Sequence, residues 1–347
     1  MSIFRSLIKK EVLHIVRDRR MTLVVLIMPV ILLLLFGFAI STEVNDVRVA
    51  AVVERHTDST REVLERVRQN PYFTFCGVVS HAEATDMLRR GQADAALVLR
   101  ADGAELRHQI IVDASNPTTA QTATGYLESA VSGRDLPVTS RTLYNPQLRS
   151  AYNFVPGIMG MIFILICAMM TSVSIVSEKE TGTMDLLLVS PVRPSTIILG
   201  KLIPYFLLSC IILALMLTLS YTLLDLPFSW SAVNVVWITI LYVILALGLG
   251  LFISTVATTQ VSALIVSGMM FMIPVVMLSG MLFPIENMPT ALRWFSCVIP
   301  ARWYIEAMRV LMIQQLPLAY VIKDVAVLSA MTVVVLAVAI KKFNTRK

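Results

Sequence analysis

Six apolar runs limit what this chain can become. They cover roughly 21–40, 154–176, 203–224, 233–254, 261–283 and 324–340, and no Asp, Glu, Lys, Arg or His stands in the interior of any of them. An α-helix rises about 1.5 Å per residue, so some 20 apolar residues cross a hydrocarbon core of roughly 30 Å. Composition agrees, since 56% of the 347 residues are hydrophobic and 15% are charged, against about a quarter charged in a soluble domain. The runs predict an α-helical integral membrane protein with six transmembrane helices. An outer re-entrant helical hairpin and an inserted small α/β extracytoplasmic domain complete the expected fold class.

The formal net charge of +6 is less informative than its placement. Residues 42–150 hold twelve Arg, no Lys and fourteen acids, so the excess of positive charge lies beside the apolar runs. That pattern reports membrane topology and gives no reason to expect nucleic acid as a partner. Arg5, Lys9, Lys10, Arg17, Arg19 and Arg20 crowd the start of the chain, while Phe4, Leu7, Ile8, Val12 and Ile15 fall on one helical side. Residues 1–20 are therefore predicted as an amphipathic interfacial helix, with Lys10, Glu11, Arg17 and Asp18 as its candidate functional positions. Residues 21–41 follow as an uncleaved first span, kinked at Pro29. An even number of spans returns the C-terminus, with Lys341, Lys342, Arg346 and Lys347, to the cytoplasmic side where the N-terminus lies.

Between the first two spans the pattern changes. Val47–Val53, Phe73–Val79, Ala95–Leu99 and Leu106–Val112 read as strands. Ser59–Gln69, Ala82–Arg90 and Thr118–Val131 read as helices. Alternating strands and helices predict that residues 42–150 form an α/β domain with its own core. His56, His81 and His108 lack metal-ligand spacing, and Cys76 is the only cysteine in this stretch, so no metal site and no internal disulfide is expected.

Residues 151–347 carry the remaining five spans and two unusual polar stretches. In 178–201, Glu178, Lys179 and Glu180 precede a turn at Gly182 and Thr183. Asp185 then leads into Leu186, Leu187, Leu188 and Val189, and Pro191 and Pro194 end the segment. A loop facing only water has no use for such an apolar run. A short helix docked into a partner's groove uses it directly. The second stretch, 284–306, follows Ser279, Gly280 and Phe283. Pro284, Pro289 and Pro300 divide it into short helices, and Trp294, Trp303 and Tyr304 suit a membrane interface. It predicts a re-entrant hairpin, whose backbone at that depth survives only where protein or a watery cavity surrounds it.

Three stretches in series carry a family resemblance: Lys10-Glu11 … Arg17-Asp18-Arg19 … Pro29 at the start, Glu178-Lys-Glu-Thr-Gly-Thr-Met-Asp-Leu-Leu with Pro191 and Gly200-Lys201, and Ser279-Gly-Met-Leu-Phe-Pro … Pro289. Together they resemble the exporter-type permeases of ATP-binding-cassette (ABC) transporters, the ABC-2 type with a large extracytoplasmic domain between the first two spans. The one departure is Asp185, where such permeases more often have Glu. The resemblance implies coupling to a separate cytoplasmic ATP-binding subunit through 178–201 and the N-terminal helix, with ATP and Mg held by that partner. It also implies a second permease copy or homologous permease, surrounding membrane lipid, a bacterial inner membrane, and an exit beneath the hairpin. A periplasmic adaptor is left open.

Residue chemistry agrees with a transport subunit that is not itself an enzyme. No phosphate-binding Gly-rich loop is present, since Gly200-Lys201 lacks both the upstream glycine and the following hydroxyl. The uncharged runs argue against an ion-driven carrier and favour amphipathic or hydrophobic cargo, drug-like or lipid-like. Two other classes remain: a mechanotransmitting permease that acts through its outer domain without carrying cargo, and a membrane-anchored ligand sensor.

Overall fold

The protein is described by a computed structural model covering residues 2–39, 47–55, 57–102, 105–112, 117–132, 150–184, 194–228 and 231–344. Contacts divide the chain into two compact units, Met1–Ile40 with Arg149–Lys347, and Ser41–Leu148.

The larger unit is helical. It begins with α1 (Ser2–Arg17) and α2 (Arg19–Leu34), the latter containing Pro29 and continuing as a π-helical turn over Leu35–Ala39. The long helices α6 (Ser150–Glu180), α7 (Pro194–Thr222), α8 (Ala232–Val256) and α9 (Gln260–Leu278) follow. Two short helices, α10 (Thr290–Ser296) and α11 (Pro300–Met308), precede the last, α12 (Ile322–Asn344). Five described helices are long and apolar enough to cross a membrane, and α1 with α2, bent by 66°, makes a sixth if the pair is one span.

Small residues let the central helices approach. At Gly250 in α8 an added Cβ would lie 2.6 Å from the Ala168 carbonyl oxygen of α6, and at Gly248 it would lie 2.9 Å from Leu336 of α12. Steric room at these two positions therefore sets α8 between α6 and α12, as small residues do where lipid supplies no hydrophobic drive between helices. Gly268 differs: nothing approaches its Cβ position, so it brings no helix closer. Hydroxyls satisfy one another across the core. Ser172 and Ser267 join α6 to α9 at 3.0 Å, and Tyr242 donates to the Gly160 carbonyl at 2.9 Å. Tyr242 and Tyr304 stack at 4.2 Å and 12°, fastening α11 to the bundle.

Several predicted boundaries shift. The polar stretch 178–201 is not a continuous loop. α6 continues through Glu180 and α7 begins at Pro194, because Lys and Glu are tolerated at helix ends and Pro194 suits a first turn. Lys201 thus stands within a long helix, as does Asp324 in α12. The run 261–283 is helical only to Leu278, since Gly280 takes φ +83°. In α1, Val12 is exposed, and the buried side carries Glu11 among Phe4, Leu7, Ile8 and Ile15.

The smaller unit is a four-stranded sheet in the order β2-β1-β3-β4. Its strands are β1 (Val47–Val53), β2 (Phe73–Val78), β3 (Ala95–Asp102) and β4 (Glu105–Val112). The first two pairings are parallel and the last antiparallel. Parallel neighbours need crossovers, which α3 (Asp58–Gln69) and α4 (His81–Arg89) supply. Each helix opens on a capping box, Thr57 with Thr60 and Ser80 with Glu83. Val49, Leu97 and Leu99 bury one side of the sheet with Val63 and Val67 of α3 and Leu127 of α5 (Pro117–Ser132), while Val52, Ala96 and Val98 pack with Ala84 of α4 on the other. β3 runs three residues past its predicted end because Asp102 still pairs with Glu105 of β4.

Candidate functional site

At one end of the helical unit a small ionic cluster joins three helices. α1 packs along the start of α7, where Gly200 leaves room for Leu7 at 3.2 Å from its would-be Cβ. One turn of α1 later, Glu11 enters the same contact, with its side chain 7% exposed. Lys201 of α7 reaches it at 3.0 Å and lies 3.1 Å from Glu178 of α6. The Glu178 contact is a charge contact off the hydrogen-bonding angle, since that carboxylate oxygen has no hydrogen-bond partner. Lys201 also donates to the Ser174 carbonyl at 3.4 Å and hydroxyl at 3.3 Å. Lys10, half-exposed at the rim, closes on Glu178 at 2.7 Å.

Two lysines and two glutamates leave this group neutral. Neutrality matters because buried charge is tolerated only when paired and hydrogen-bonded. The cluster thereby joins α1, α6 and α7 through paired charges.

Immediately beyond, α6 ends in residues that hold the next helices. Lys179 donates to the Ser254 carbonyl at the end of α8, and Glu180 accepts from the backbone and side chain of Gln260 at 3.1 and 3.0 Å. Gly182 turns the chain at φ +73°, a conformation costly for other residues. Thr183 donates to the Glu178 carbonyl at 3.2 Å, and Met184 is buried with Ile175, Ile198 and Leu251. Asp185, Leu186, Leu187, Leu188 and Pro191 lie outside the described residues. Arg17 and Asp18 sit exposed at the α1–α2 bend, and Asp18 lines a small pocket with Ser174 of α6 and Tyr205 of α7. Sequence reading joined Lys10, Glu11 and Glu178 only through a shared resemblance. It gave no role to Lys201 or Ser174, although a lysine between Gly200 and an apolar run was the available signal.

The opposite end carries the proline-divided stretch. α9 stops at Leu278, Ser279 is buried and bonds back to the Val275 carbonyl, and Gly280 turns the chain. Phe283 is exposed, and Pro284 leads into a short 3-10 turn over Ile285–Asn287. Pro289 precedes α10 and Pro300 occupies the first turn of α11, where its missing N–H costs nothing. Trp303 is buried and donates to the Cys297 carbonyl at 3.0 Å. Arg309, unremarked in the sequence, donates to the Gly280 carbonyl at 2.6 Å and to Asn153 of α6 at 2.9 Å. Between α2, α6 and α9 lies an apolar cavity of about 630 Å³ whose lining includes Met28, Leu32, Met161, Leu165 and Met272.

The profile of the ABC-2 family transporter proteins matches residues 19–341, which take in every described element but α1 and the end of α12. The chain belongs to this family. The permease is 29% identical over 327 residues to the probable multidrug ABC transporter permease YbhS of Escherichia coli K12, covering 88% of this chain and 87% of that protein. Its similarity to the probable multidrug ABC transporter permease YbhR of the same strain is 29% over 322 residues, 86% of each chain. The inner membrane transport permease YhhJ of Escherichia coli K12 is 26% identical over 216 residues, 57% of this chain and 56% of its own. This ABC-2 permease is thus a multi-pass membrane transport protein.

Proposed function

We propose that this chain is the permease half of an ATP-driven exporter that moves amphipathic or hydrophobic molecules out of the cytoplasm or the inner leaflet. In this reading the chain spans a bacterial inner membrane six times with both termini cytoplasmic, and residues 42–150 lie outside. A separate cytoplasmic subunit binds ATP and Mg. A second permease, identical or homologous, completes the path.

The observation that carries the reading is the neutral ionic cluster of Lys10, Glu11, Glu178 and Lys201, which ties α1, α6 and α7 together beside Gly182. A push delivered to 185–193 by a closing ATPase pair reaches α6 directly and cannot move it without carrying α1 and α7. The apolar cavity beside α2, the uncharged span interiors and the names of the two multidrug relatives favour drug-like or lipid-like cargo. Phe283 and the hairpin then sit where cargo would leave.

The test is co-expression with a candidate ATP-binding subunit and reconstitution in nanodiscs. The permease is expected to co-purify with that subunit and raise its ATP hydrolysis, and inside-out vesicles holding both are expected to accumulate ethidium on ATP addition. ATPase subunits that neither bind the permease nor respond to it would overturn the assignment.

A further inference from the structure

A second groove, on the hairpin side, has no part in the coupling scheme. It measures about 570 Å³, between Met270 and Pro274 of α9, Pro300 of α11, and Val327 and Met331 of α12. Its lining is almost wholly apolar. Charge gathers just beyond it. Lys323 stands one helical turn before Val327 on the same side of α12, about 6 Å along the axis, and Arg302 stands in the first turn of α11. Both cations address one ring: the Arg302 guanidinium is 4.9 Å and the Lys323 ammonium 5.4 Å from the centre of Trp303. Glu306 stands one turn after Arg302 on the same side of α11, and Asp324, next to Lys323 in α12, is buried.

These four groups balance in charge, yet none forms an ion pair with another among the described residues. Arg302 spends one terminal nitrogen on Ser296 at 2.6 Å and on the Arg293 carbonyl, while its Nε is buried without a partner. Lys323 and Glu306 are exposed. An apolar slot with cations and an exposed carboxylate gathered one helical turn beyond its lining is complementary to a zwitterionic amphiphile.

We propose that this groove is a phospholipid site specific for a phosphoethanolamine headgroup. One acyl chain lies between α9 and α12, the phosphate meets Arg302 and Lys323, and the ammonium meets Glu306. Guanidinium and ammonium groups form charge-assisted hydrogen bonds to phosphate. A headgroup carrying only negative charge would satisfy the two cations but leave the exposed Glu306 unrewarded. The site requires only that the protein be membrane-embedded and does not depend on the exporter reading.

Native mass spectrometry of the purified full-length permease, titrated with chain-matched phosphatidylethanolamine or phosphatidylglycerol, tests this. The wild type is expected to retain phosphatidylethanolamine in preference to phosphatidylglycerol. Lys323→Ala should weaken retention of both lipids about fivefold, the contribution of one basic side chain at a headgroup. Glu306→Gln should erase the preference while leaving phosphatidylglycerol retention at its wild-type level. Ala330→Trp, which fills the groove, should lower retention of both. Lys323 and Glu306 are exposed, so their replacement spares the packing of α11 and α12. Equal or stronger retention of phosphatidylglycerol by the wild type would overturn the proposal, as would variants that all match it. So would disulfide cross-linking of Ala330→Cys to a second copy in native membranes, which would make the groove a protein interface.

Discussion

The ammonium of Lys201 meets the carboxylate of Glu11 at 3.0 Å across 190 positions of sequence, and both side chains are buried. Removing one member strands the other in a place water does not reach. Lys201→Met is therefore expected to cost about 3–5 kcal/mol, read as a fall in the unfolding midpoint in detergent. The double variant with Glu11→Gln should recover part of that loss, because fewer carboxylates are then left unpaired. Equal stability of wild type and Lys201→Met would mean that the charges are not buried in the folded protein.

Docking of 185–193 into a partner is tested one leucine at a time. Leu186→Asp, Leu187→Asp and Leu188→Asp should include at least one change that abolishes co-purification of the ATP-binding subunit, since an anchor turned into a buried unpaired charge costs about 3–5 kcal/mol. Lys179→Ala is expected to act differently. Its ammonium holds the end of α8, so the effect should be on ATPase stimulation more than on association. Wild-type association throughout the leucine series would remove 185–193 from the coupling scheme.

Orientation is open to direct labelling. With a cysteine at position 103 or 193, an impermeant maleimide applied to intact cells is expected to label the first and spare the second. The reverse pattern would invert the proposed topology.

In the sheet unit, Arg48 grips Asp94 through two side-chain hydrogen bonds, at 3.0 and 2.8 Å. That grip holds the Asp94 carboxyl below its ordinary range, against the opposing effect of burial. A depressed carboxylate pKa adds stability that is present above the unfolded value, about 3.9, and is lost as pH falls through the lower folded value. The stability gap between wild type and Asp94→Asn should therefore be constant near neutral pH and close in acid. Circular dichroism melts of the full chain at stepped pH measure it. A gap unchanged down to pH about 2 would contradict the pairing.

Gly250→Val should disturb the centre of the bundle, because even a Cβ there falls 2.6 Å from a backbone oxygen. A loss of about 1–3 kcal/mol is expected, and Gly268→Ala, with open space around it, should be neutral. Equal melting of the two variants would show that α6 and α8 are not in close contact at Gly250.

Much of this architecture was legible because the signals were local. Val47–Val53 and Ser59–Gln69 announce themselves through period and capping chemistry, and both elements appear within a residue of expectation. The six apolar runs fall on helices for the same reason. Lys201 escaped because its assignment depends on Glu11 and Glu178, two residues brought to it by the packing of α1 and α6, and periodicity carries no such information. Arg309 escaped likewise, its partners being a turn carbonyl at Gly280 and a side chain at Asn153. Gly248 and Gly250 were recognisable as small, whereas the open surroundings of Gly268 could be known only from the helix's rotation.

α6 is pinned at both ends, by Lys10 and Lys201 at Glu178 and by Arg309 at Asn153. Its close backbone approach to a neighbouring helix, Ala168 against Gly250, falls near the middle. Mechanically it is a lever about 46 Å long resting on a central fulcrum. A sideways step imposed at Glu178 would then emerge at Asn153 in the opposite direction and about one and a half times as large, so force entering at one end of the bundle is returned as reversed movement at the other without any helix having to slide or unwind.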